Sequence, residues 1–333
     1  MSDAAVNGMN QQLHPGFFDK LLMWFAWVLA GVVFFSIGWS VMAPTDPHGA
    51  VSLLARSGDP AMLLKACALA GLTAVVATIL AGRYLPDAGV FAASVGMVAV
   101  SVRGDTAAYF LIRRADESSS IGGLALSLAG ESAVWFGVIV LTIFVCHALV
   151  RSFPAVTIGA GRHYLTQIPS GFDLFRAKPQ KVDAPKVPLT SFAVGIKHAV
   201  VVGGVGLVAF QLFSSGVAGR SIQHGQACFV VAASTCVACY IGHRFAPVSS
   251  ALWSLVGVLV ITIVGYIWSS FSVNAAALPA SIPASAFLRV LPIQYVATGT
   301  ATAVAMCWYM RDPDFGIARE VDDATLESPR SVG

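Results

Sequence analysis

Charged side chains are scarce in this sequence. Only 11% of its 333 residues are Asp, Glu, Lys or Arg, against about a quarter in an ordinary soluble domain. So few charges cannot cover a water-facing surface. The net charge of +3 is small and the basic residues gather in one loop, which argues against a nucleic-acid surface, and no nucleic-acid partner is expected. A disulfide framework is missing as well. Cys67, Cys146, Cys228, Cys236, Cys239 and Cys307 all sit inside apolar runs, where a thiol packs as a small hydrophobe. Cys236-Val237-Ala238-Cys239 has C-x-x-C spacing but no second ligand pair, so it is not half of a zinc site. Gly203-Gly204-Val205-Gly206 lacks the strand that precedes a nucleotide-binding glycine loop, and it reads as close helix contact. Neither a metal nor a cofactor is expected.

What the chain does have is apolar length. With 56% apolar residues and a mean hydropathy of +0.76, most of it is solvated by lipid. A helix of ~20 residues at 1.5 Å rise crosses the hydrocarbon core. Eight runs reach or approach that length: Leu21–Ala43, Leu63–Gly82, Ala88–Ile112, Ala133–Val150, Ala199–Phe213, Ala227–Gly242, Ala251–Phe271 and Leu291–Met310. The fold class is therefore all-α, a polytopic membrane protein of about eight transmembrane helices. Val41-Met42-Ala43 resembles the end of a leader peptide, but the run before it exceeds the about 7–15 apolar residues of a leader core. We therefore read it as a permanent span.

Residues 66–110 overlay residues 227–271 without a gap at an offset of 161. Identical pairs include Cys67/Cys228, Arg83/Arg244, Pro86/Pro247, Gly96/Gly257 and Gly104/Gly265. Such self-similarity is the signature of a duplicated architecture. Four spans per copy return the chain to its starting side, so the halves are parallel repeats, not inverted ones. The expected organisation is a tail over 1–18, a first four-helix half over 19–150, a basic linker loop over 151–192, a second half over 193–311 and a disordered tail over 312–333. With this topology, 13 of the 20 Lys and Arg residues fall on the side of the termini: Lys20, Arg83, seven between Arg151 and Lys197, Arg244, Arg311, Arg319 and Arg330. That bias puts both termini in the cytoplasm, with the body in a plasma or inner membrane.

No ionisable residue falls near the centre of any of these eight runs, which argues against proton relays and charged-substrate transport. Three come closest. Arg103 lies ~22 Å along its run in a core of ~30 Å, Asp105 is just beyond it, and Glu131 stands where the fourth run opens on the same side. Together they form a candidate outer-face polar cluster, with an interfacial ion pair as the plain alternative. Arg83, Pro86, Arg244 and Pro247 form a repeated turn in which proline bounds the following helix and arginine holds the loop inside. His147, His198 and His243 fall at similar depth near the cytoplasmic ends of spans four, five and six, and paired imidazoles at such a depth are candidate haem ligands. Their repeat partners are unlike them: Trp308 replaces His147 and Gly82 replaces His243.

Packing signals are stronger. Ala66, Ala70, Ala74, Thr78 and Gly82 recur every four residues, giving the second span a stripe of small side chains that lets backbones approach. The last span carries Thr298, Gly299, Thr300 and Thr302, with Gln294 at its outer end. The leading functional expectation is a non-enzymatic subunit or scaffold of a membrane assembly, whose partners are the lipid bilayer and other membrane proteins or further copies of itself. A permease or channel for a neutral or amphipathic solute is the first alternative, and a membrane enzyme acting on lipid or quinone the second. If Arg83 and Arg244 only fix the turns, replacing each with Lys leaves expression and membrane insertion intact. Severe loss of activity with normal insertion would instead assign them to docking.

Overall fold

A computed structural model of the chain describes residues 17–44, 49–54, 59–81, 87–117, 121–152, 192–215, 222–248, 250–272 and 285–311. Every regular element among these is helical. Helix α1 (Phe17–Val33) continues through a π-helical turn (Phe34–Gly38) into a last turn (Trp39–Met42). It is followed by α2 (Pro60–Ala81), α3 (Ala88–Ser101), α4 (Ala107–Glu117) and α5 (Ile121–Ser152). The later helices are α6 (Phe192–Ser215), α7 (His224–Phe245), α8 (Leu252–Ser272) and α9 (Pro292–Arg311), with a 3₁₀ turn (Ala286–Arg289) leading into α9. We name the end of the bundle where α1 begins the near end and the opposite one the far end.

Among the described residues, six helices are long and apolar enough to cross a membrane: α1, α2, α5, α6, α7 and α8. The eight runs of the sequence are thus reduced in the structure to six such helices and two others. The third run breaks between Ser101 and Ala107, where Arg103-Gly104-Asp105 interrupts it. What remains as α3 is 14 residues, ~21 Å of helix against a core of ~30 Å. The eighth, α9, is long but polar. Its residues 291–300 are all buried, so it faces protein rather than lipid and tolerates Gln and Thr.

The fourth run also differs from expectation. Its helix starts at Ile121, well before Ala133, because Gly122, Gly123, Ser127, Gly130 and Ser132 dilute the apolar signal without breaking the helix. Glu131 therefore lies inside a spanning helix rather than at its opening. The sixth run, short in the sequence, is a full 22-residue helix. Residues 153–191, Arg83, Pro86, and both tails as far as Gly16 and from Asp312 lie outside the described residues.

Small residues set the packing, as the absence of a hydrophobic drive between helices in lipid requires. The α2 stripe is turned inward: Ala66, Ala70, Ala74 and Thr78 are buried. A Cβ on Gly89 of α3 would stand 2.5 Å from the Ala74 carbonyl oxygen, so α2 and α3 approach backbone to backbone. On α6, Gly195, Gly203 and Gly206 meet Trp253, Val260 and Ile261 of α8. Val202 inserts between Gly242 of α7 and Gly257 of α8, 2.5 Å from where either Cβ would be.

The helices associate in a regular pattern. Helix α1 packs on α2 and α3, and α6 packs on α7 and α8. Next, α2 meets α5 and α7 meets α9; α3 crosses to α9, α8 crosses to α5, and α5 touches α9 at the centre. Large apolar side chains face outward along the spans, among them Trp24, Leu72, Val200, Leu212 and Phe271.

Close approach at the glycines predicts a sharp contrast. Gly257→Ala and Gly96→Ala, whose new methyls would meet Val202 and Phe34, should each lower unfolding free energy by about 1–3 kcal/mol in a denaturant titration in detergent. Gly204→Ala, with nothing within 4 Å, should be neutral or stabilising by up to about 1 kcal/mol. Equal effects at all three would contradict the packing.

Candidate functional site

Polar chemistry concentrates at the far end, where two non-helical segments fold into the bundle. The first, residues 49–54, is buried at Ala50, Val51, Ser52 and Leu53. Its released backbone groups meet Glu131 of α5, itself only 4% exposed. Ser52 Oγ donates to Glu131 Oε2 at 2.6 Å, and Leu53 N donates to Oε1 at 3.0 Å. One helical turn along α5, Trp135 Nε1 donates to the same Oε1 at 2.9 Å. Ser52 Oγ in turn accepts from Leu54 N at 3.2 Å. Glu131 acts on this segment as a cap acts on a helix terminus, collecting donors that have no ladder partner.

The second segment leads through the 3₁₀ turn into α9. Tyr266 of α8, fully buried, donates its hydroxyl to the Val290 carbonyl at 2.6 Å. Gln294 Oε1 accepts from Leu291 N at 3.2 Å, and Gln294 Nε2 lies 2.8 Å from His224 Nδ1. His224 Nε2 stands 2.9 Å from the Gly104 carbonyl, which can only accept. The network therefore assigns the His224 proton to Nε2 and makes Nδ1 the acceptor of the Gln294 amide. One relay thus joins α9, α7 and the break between α3 and α4. That break is itself tied to the first segment, since Asp105 N donates to the Gly49 carbonyl at 3.1 Å. A side chain on Gly104 would collide with Gly49, its Cβ 2.8 Å from the carbonyl oxygen.

The expected outer-face residues all stand at this end and take separate partners. Arg103 is exposed, donates to the Phe35 carbonyl in the π-helical turn, and lies 5.0 Å from the ring centroids of both Phe35 and Trp39. A π turn shifts the helical hydrogen-bond register, which gives a side chain access to a carbonyl. Asp105 Oδ1 accepts from Thr106 N at 2.8 Å as α4 begins. Among the described residues, no ion pair joins Arg103, Asp105 and Glu131. Ser52, Trp135, His224 and Tyr266 have no sequence motif that marks them. The nearest sequence signal is the Gln223/Gln226 capping box that opens α7 beside His224.

At the near end, His198 is wholly buried, with Nδ1 2.8 Å from the Ala246 carbonyl and Nε2 2.9 Å from Ser254 Oγ. Both ring nitrogens are engaged, so neither is directed at an iron. His147 and His243 are half-buried. In the repeated turn, Arg244 and Pro247 are exposed. Cys236 Sγ approaches Met306 Sδ at 3.2 Å, and Cys239 and Cys307 are both buried. Among the described residues, no group of three or more His, Cys, Asp or Glu side chains could hold a metal ion. The chain matches no known protein family, no curated protein and no solved structure.

The far-end geometry makes Glu131 a fastening residue. Glu131→Ala leaves the Ser52, Leu53 and Trp135 donors buried without an acceptor, and should lower unfolding free energy by on the order of 3 kcal/mol. Glu131→Gln keeps one acceptor oxygen and should lose less. If denaturant titration finds both variants as stable as the parent, the carboxylate does not hold the segment.

Proposed function

We propose that this chain is a non-catalytic, multi-pass integral membrane protein of two parallel four-helix halves, acting as a subunit or scaffold of a membrane assembly. The observation that carries the reading is that the ionisable side chains enclosed at the two ends are engaged in fastening the chain to itself. Glu131 receives three donors, His198 and His224 use both ring nitrogens, and the Tyr266 hydroxyl is bound to a backbone carbonyl. A general acid or base needs hydrogen-bonding capacity directed at a substrate. These groups have theirs directed inward.

The duplication is supported by contacts that recur at the same offset. Thr78 Oγ1 and Cys146 Sγ meet at 3.5 Å between α2 and α5. Their counterparts at +161, Cys239 and Cys307, are both buried on the corresponding packed pair α7 and α9. Gly96 and Gly257 each sit against the first helix of their own half, at Phe34 and Val202. The crossing contacts α3–α9 and α8–α5 exchange under the same operation. The α2–α3 contact has no equally strong counterpart between α7 and α8, so the second half is the looser copy there. In this arrangement α3 and α9 are the enclosed members of eight helical segments. The Lys and Arg bias favours cytoplasmic termini in a plasma or inner membrane.

A path for a neutral solute beside α9 is the second reading. Tyr295 and Thr300 favour it, being buried hydroxyls with no hydrogen-bond partner among the described residues. At about 100° per residue, however, they lie ~140° apart around the helix, which does not make one continuous lining.

Native purification of the full-length protein in mild detergent tests the proposal. A stoichiometric protein partner or further copy, with no Soret absorption, is the expected result. A lone chain that conducts a neutral solute when reconstituted in vesicles would overturn the scaffold reading in favour of the path.

A further inference from the structure

A lateral cavity of about 680 Å³ opens between α6 and α8 near the far end, within the usual range of ligand sites of about 300–1,000 Å³. Its walls are the outward faces of two spanning helices: Val208 and Leu212 are 61% and 66% exposed, and Trp268 is 67% exposed. An opening at that position faces hydrocarbon, so its natural occupant comes from the bilayer. Polarity is graded along it. The deeper wall is Leu207, Val208 and Val264, while Gln211 and Ser285 supply the polar atoms. Gln211 is four residues short of the end of α6, and Trp268 four short of the end of α8. Both therefore lie ~6 Å inside their helix ends, at matching depth. Tryptophan belongs at that boundary, where one face is apolar and the other meets headgroups.

Gln211 is the feature that bulk lipid contact does not explain. Its side-chain amide lines the cavity with no hydrogen-bond partner among the described residues, on an exposed face of a spanning helix. An amide left without an acceptor at the edge of the hydrocarbon is unfavourable. The carbonyl oxygen of a lipid ester at that depth would accept from it.

We infer that this cavity is a binding site for one phospholipid, with an acyl chain along Leu207, Val208 and Val264 and its ester carbonyl accepting from the Gln211 amide. Nothing covalent is involved. The site rests on the membrane reading given above, and its test separates the two.

The full-length chain is reconstituted in phosphatidylcholine vesicles containing a small fraction of phosphatidylcholine with a photoactivatable diazirine in one acyl chain. Adducts are then mapped by peptide mass spectrometry. Labelling of residues 207–212 and 264–268 should exceed that of the outward α2 residues Leu64, Leu72 and Ile79 by fivefold or more. Gln211→Leu should reduce that excess at least threefold, and Val264→Trp, which narrows the cavity, should abolish it. Gln211→Leu changes a single outward amide, so it remains informative if Val264→Trp does not fold. Uniform labelling of all outward faces, or a cavity occupied by residues 273–284 of the same chain or by a second copy, would overturn the site. Absence of labelling on every helix would overturn the membrane reading instead.

Discussion

Inside a bilayer no water is present to satisfy a backbone group that leaves helical geometry, and that constraint governs the far end of this protein. Residues 49–54, the break after Ser101 and the turn before α9 all depart from helix, and a buried or half-buried side chain answers each. Glu131 answers the first, His224 and the single backbone bond from Asp105 N to the Gly49 carbonyl the second, and Tyr266 with Gln294 the third. These polar residues come from α5, α7, α8 and α9, so the clasp also holds helices from distant parts of the chain together. A polar network of this kind is stable only when its members are satisfied, because a half-filled one is worse than an apolar core. Most of its members are filled here.

The rest of the bundle is held by shape. Lipid tails solvate leucine as well as a neighbouring helix does, so association depends on close backbone approach. Glycine and alanine supply it at α2–α3, α6–α8 and around Val202. Aromatic residues fill the larger spaces: Phe210 stacks on Phe287 at 4.8 Å between centroids, while Trp27, Phe91 and Trp308 cluster towards the near end. The division of labour explains why most of the residues matched at the 161-residue offset are small or bound turns. The polar clasp is asymmetric: Glu131 corresponds to Pro292, and Tyr266 to Asp105. Close packing is needed along every helix pair, whereas the clasp is made once, at the far end.

The helical fold was legible in the sequence because an apolar run of spanning length has few other physical meanings. Boundaries were less so. Hydropathy placed the start of the fourth span at Ala133, since glycine and serine lower the average although they extend the helix back to Ile121. It also treated Ala88–Ile112 as one span, because Val102 and the residues around Arg103 leave the run apolar on either side of the break. Helix α9 lay at the opposite limit: enclosed by protein, it has no need of a lipid-compatible surface. At the site, Glu131, Arg103 and Asp105 were visible as charges in an apolar chain, but their partners were not. Ser52, Leu53 and Trp135 converge on Glu131 from 79, 78 and four residues away, and single-sequence periodicity carries no signal for such pairings.

The central claim is that the inserted far-end segments are held as firmly as the helices. Hydrogen–deuterium exchange on the full-length protein in lipid nanodiscs tests it most directly, because Leu53 and Leu291 each have an amide committed to a buried side chain. The account predicts that peptides covering 49–54 and 286–291 exchange as slowly as those from the middle of α5 and α8. Exchange within seconds at either segment, with the helices still protected, would contradict it.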